Sequence, residues 1–76
     1  MTPSQYKQSI LIYWKEKEPK KYKELKQAGT LDREAQELAD LMFNKEQELT
    51  NQLAEKDQGQ AGMIAREIVM HDFLPS

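Results

Sequence analysis

The sequence predicts an all-α domain, a small bundle of three main helices plus one short helix. Three observations carry this. Apolar residues recur with helical spacing, and no segment shows the strict alternation of a half-buried strand. The three Gly and three Pro fall between the periodic runs rather than inside them. Residues suited to helix starts and stops stand at the junctions. No internal repeat is visible, and residues 1–76 read as one domain.

Thr2-Pro3-Ser4-Gln5 opens the first helix. Thr2 is the cap, Pro3 takes the first helical position, and Gln5 completes a capping box. The helix runs to about Glu18, where Pro19 interrupts it. Tyr6, Ile10, Tyr13 and Trp14 share one face with Leu11 on its flank, and Ile12 points nearly opposite. Pro19 opens the short second helix, with Tyr22 and Leu25 turned inward and Gly29 as a left-handed stop.

Thr30 or Asp32 caps the third and longest helix, with Glu34 in its first turn. It is expected to reach about Asp57. Leu31, Ala35, Leu38, Met42, Leu49 and Leu53 form its apolar stripe, widened by Ala39, Leu41 and Phe43. Lys45 and Gln52 interrupt any sustained heptad. Gly59-Gln60-Ala61-Gly62 reads as a turn. The last helix follows from about Ala61 to His71, with Ala61, Ile64, Ala65, Ile68 and Val69 inward and Met63 and Met70 on its back. Phe73-Leu74-Pro75-Ser76 is a short apolar tail.

Composition excludes several function classes. With no cysteine there is no disulfide, and a lone His71 does not make a zinc site. No metal or cofactor is expected. Cysteine-free composition and the lack of a basic start with a long apolar region fit a cytoplasmic protein without a signal peptide. The longest apolar run, Ile10 to Trp14, is far too short for a membrane span. Nucleophilic catalysis needs an activated nucleophile beside a base, and Ser4, Ser9 and Ser76 lie in no such setting. No phosphate-binding glycine loop occurs. The expectation is a protein that is not an enzyme.

A core this small supplies only ~3–5 kcal/mol, so a second copy is a natural source of further stability. Charge is unevenly spread. Residues 1–29 hold seven Lys and three Glu (+4), and residues 30–76 hold four basic and ten acidic residues (−6), for a net −2. The basic part centres on WKEKEPKKYKELKQA, from Trp14 to Ala28. Lys17, Lys20, Lys21 and Lys23 are candidate nucleic-acid contacts, with Trp14 or Tyr22 as stacking partners. Against that, Glu16, Glu18 and Glu24 are interleaved, and the chain is acidic overall. The lysines equally suit pairing with the acidic third helix, within one chain or across a dimer. Gly59-Gln60-Ala61-Gly62 matches the GxxG of KH loops, but that fold needs strands.

Ile12, Met63 and Met70 are left over once each helix fills its inward stripe. They are the candidate surface for a protein partner or a homodimer. Glu46 falls inside the apolar stripe. It is read as a carboxylate where the stripe meets solvent, paired with lysine or water, with a buried register-setting group as the alternative.

Tyr22-Lys23-Glu24-Leu25-Lys26-Gln27-Ala28-Gly29-Thr30-Leu31 resembles a Y-x-x-L-x-x-x-G-x-L element of small uncharacterised helical proteins of bacteria, cyanobacteria and phages. Ala65-Arg66-Glu67-Ile68-Val69 followed by Phe73-Leu74-Pro75-Ser76 resembles the ends of several of them. A similar combination occurs in longer transposon-encoded accessory proteins of the TnpV type. These motifs are helix punctuation and core positions, so the resemblance transfers no functional residue. It implies a small helical domain of mobile-element or related origin.

Overall fold

The computed structural model describes residues 2–56 and 59–75. It contains four helices, α1 (Pro3–Lys17), α2 (Pro19–Ala28), α3 (Leu31–Ala54) and α4 (Ala61–Phe73), and no strand among the described residues. The all-α expectation holds, with α2 as the short helix.

Local chemistry sets the junctions. At α1 both halves of the capping box form. The Gln5 N–H donates to Thr2 Oγ1 at 3.2 Å and the Thr2 N–H to Gln5 Oε1 at 2.8 Å. Glu18, pushed from helical geometry by the following Pro19, sits at φ −134° and separates α1 from α2. Gly29 ends α2 at φ 76°. Its N–H bonds the Lys26 carbonyl while the Thr30 N–H reaches back to Leu25, the paired closure of a Schellman motif. Thr30 caps α3 in position, though its side chain makes no capping bond, and Asp32 and Glu34 occupy the first turn.

Helix α3 is the axis of the molecule. All three other helices are joined to it directly or through the core, and its pairing with α4 is the most extensive. The core joins Tyr6, Ile10 and Trp14 of α1 to Ala35, Ala39 and Met42 of α3, with Val69 and Leu74 closing it. The spacings of four on α1 and of four and three on α3 are those of one helix face. On α4, Ala61 and Ala65 are also buried. Helix α2 buries no residue fully and leans on the core through half-buried Tyr22 and Leu25.

Several boundaries and faces differ from the sequence expectation. Helix α3 stops at Ala54, where the Lys56 N–H turns back to Leu53; the expected end, Asp57, lies outside the described residues. Helix α4 begins at Ala61 as expected, so the second half of the expected turn, Ala61 and Gly62, is already helical. Helix α4 continues through Phe73, because the tail is core rather than appendage. Leu74 is buried, Phe73 packs beside it, and the Tyr13 hydroxyl donates to the Pro75 carbonyl. Leu41 and Ile68, expected to turn inward, are exposed at 59% and 37%. At 100° per residue Leu41 stands roughly 120° from the centre of the buried α3 stripe, beyond the reach of its neighbours.

The fold is long and thin, 45 × 21 × 14 Å. Its radius of gyration is 13.7 Å, against about 11.4 Å for a compact chain of this length. Its accessible surface is 5318 Å², against roughly 4,800 Å² for a compact monomer of this mass.

Candidate functional site

Two shallow grooves flank α3. The first, of about 360 Å³, lies between α3 and α4 and is lined by Glu46, Gln47, Thr50, Gly62, Met63 and Arg66. The second, of about 260 Å³, lies where α1, α2 and α3 meet. Trp14, Leu25, Leu38 and Leu41 make its apolar part, and Lys21, Glu34 and Glu37 its charged part.

At the first groove Glu46 is buried, not at the solvent edge as the stripe alone had implied. It lies near Tyr6, whose hydroxyl is sealed from solvent without a hydrogen bond of ordinary geometry. Burial is the main reason this phenol resists ionisation, holding it well above its ordinary range. The charge and near hydrogen-bonding approach of Glu46 act in the same direction, while Arg66 opposes them. Tyr6 and Glu46 are thus a buried polar contact between α1 and α3, with the positive charge of α4 close by.

The three candidate apolar contacts part company. Ile12 is 59% exposed and lines neither groove. Met63 is half exposed and lines the first. Met70 is half-buried and packed against the core, so it adds little to an exposed patch. Leu41, which the pattern placed inward, is instead 59% exposed and forms part of the wall of the second groove.

Lys17, Lys20, Lys21 and Lys23 are all exposed, at the end of α1 and along α2. Ion pairs among the described residues include Lys7 with Asp32 and, at 3.9 Å, Lys45 with Glu48. Neither uses a lysine of α2. Lys21 instead places its ammonium 4.7 Å from the centre of the Trp14 ring. Trp14 is buried and Tyr22 half-buried, so neither ring stands free to stack on a base. Among the described residues no three carboxylate, histidine or cysteine side chains converge for a metal, and no helix is long and apolar enough to cross a membrane.

No protein-family model matches the chain, and no curated protein or solved structure is similar enough to indicate a relationship.

Proposed function

We propose that the protein is a small non-catalytic interaction module of the cytoplasm that associates with itself through helical surfaces. The observation that carries this is the surplus of surface. A thin fold presents about a tenth more area than a compact chain of its mass, and leaves Ile12, Leu41 and Met63 half exposed or more. A core of alanines and a few large side chains gains most from burial against a second copy. Sedimentation equilibrium across protein concentration tests the reading. A reversible dimer is expected; a monomer at every concentration rules it out.

A second reading is an accessory nucleic-acid binder. The lysines of α2, free of ion pairs among the described residues, support it. It expects salt-sensitive binding to DNA or RNA that weakens in Lys20→Glu/Lys21→Glu, measured by fluorescence anisotropy. Lack of binding at low salt removes it.

A further inference from the structure

We infer that the groove where α1, α2 and α3 meet seats a segment of a partner protein. That segment presents one large apolar side chain, with a lysine or arginine one to two helical turns away. This goes beyond self-association, and the two stand or fall separately. Trp14, Leu25 and Leu38 give the groove its apolar lining, and Leu41 forms part of its wall. Its volume of about 260 Å³ falls below the roughly 300–1,000 Å³ of pockets that enclose a whole small ligand. It suits the single anchor side chain by which a docked helix or strand fills a pocket. Leu41 is 59% exposed, so this wall loses its contact with water only when something is laid against it.

Charge fixes the chemistry of the occupant. Glu34 and Glu37 line the same groove, and among the described residues neither is held in an ion pair. Glu34 is already half-buried. A wholly apolar segment laid over them would strip water from these carboxylates and offer no counter-charge, which works against the apolar contact. A cation on the segment offsets that cost, whereas a nucleic acid or an anionic lipid surface is repelled. The cation already in the lining, Lys21, is drawn to the Trp14 ring, 4.7 Å from its centre. Position follows from helix geometry. Glu37 and Glu34 lie four and seven residues before Leu41, about 6 and 10.5 Å along the helix axis. At 100° per residue the three fall within about 60° of one another. A segment whose anchor rests on Leu38 and Leu41 therefore meets the carboxylates toward one end of the groove, one to two turns from the anchor.

A random peptide library tests the assignment, selected on the wild-type protein and counter-selected on Glu34→Lys/Glu37→Lys. Enriched peptides should carry a large apolar residue and a Lys or Arg about three to seven residues apart. No enrichment, or enrichment of peptides without that pair, overturns the proposal. A tryptophan-free member should alter the fluorescence of Trp14, the single tryptophan of the chain, as it binds. Its affinity should fall about tenfold in Glu37→Lys and further in Leu41→Lys. Both positions are exposed, so circular dichroism should show unchanged helicity. Replacing the basic residue of the peptide with Glu should abolish binding to wild type and restore it to Glu34→Lys/Glu37→Lys, an exchange that a damaged fold does not produce. Binding indifferent to these changes lies elsewhere and overturns the proposal. A dimer that the peptide splits assigns the groove to a second copy, so the proposal falls and self-association stands. A monomer that binds the peptide removes self-association and leaves the groove as assigned.

Discussion

Helices α1 and α4 pack on the same helix by opposite means. Helix α1 brings one large side chain per turn, Tyr6, Ile10 and Trp14, and buries all three. Helix α4 brings Ala61, Ala65 and then Val69, small residues that let two backbones lie close. Large buried side chains each contribute about 1.5–3 kcal/mol, whereas an alanine contributes little by area and works by permitting approach. One interface should therefore fail when volume is removed, and the other when volume is added.

The largest expected effect is on the α1 side. Ile10→Ala leaves a cavity in a fully buried position and should cost about 3 kcal/mol, most of the stability of so small a domain. Thermal unfolding followed by circular dichroism reads it directly, and an unchanged midpoint would place α1 outside the cooperative core. Next comes Ala65→Leu, expected to cost about 2 kcal/mol by forcing α3 and α4 apart. The same change at exposed Ala28 is the control and should be near neutral. Equal effects at both positions would show that α4 does not depend on small residues.

Gly29→Ala touches neither interface and calibrates both. Nothing lies within 4 Å of the place a methyl group would take there, so its cost of about 1 kcal/mol is backbone strain at φ 76° alone. Urea denaturation with an unchanged slope would separate that strain from a loss of packing.

The smallest effect at neutral pH belongs to Tyr6→Phe, which removes a buried hydroxyl that lacks a well-formed hydrogen bond. Its signature appears in alkali. The folded protein holds the Tyr6 proton above the ordinary phenol value of 10.0, so the unfolded chain releases that proton first. The stabilisation is therefore complete below pH 10 and declines as pH rises beyond it. Wild type should lose more stability than Tyr6→Phe between neutrality and about pH 11. Parallel pH profiles for the two proteins would mean that Tyr6 ionises equally in both states.

Much of the fold was legible because its punctuation is local. Thr2 and Gln5 meet within one turn, Pro19 acts on its immediate neighbour, and the Gly29 closure spans only from Leu25 to Thr30. The period of Tyr6, Ile10 and Trp14 likewise needs no knowledge of what they touch. Candidate contacts were less legible. Ile12 and Met63 are exposed as the pattern implied, yet Met70, on the back of its own helix, is covered by other elements.

The sequence by itself determined where the helices start, where α1 and α2 stop, and which face of α1 turns inward, since those follow from interactions a few residues apart. Only the tertiary structure decided that Glu46 is buried beside Tyr6, that Leu41 is left uncovered, and that Phe73 and Leu74 join the core. Each of these depends on how wide a stripe the neighbouring helices cover. That width is set by how closely α1, α2 and α4 approach α3, a distance that no spacing along one chain segment encodes.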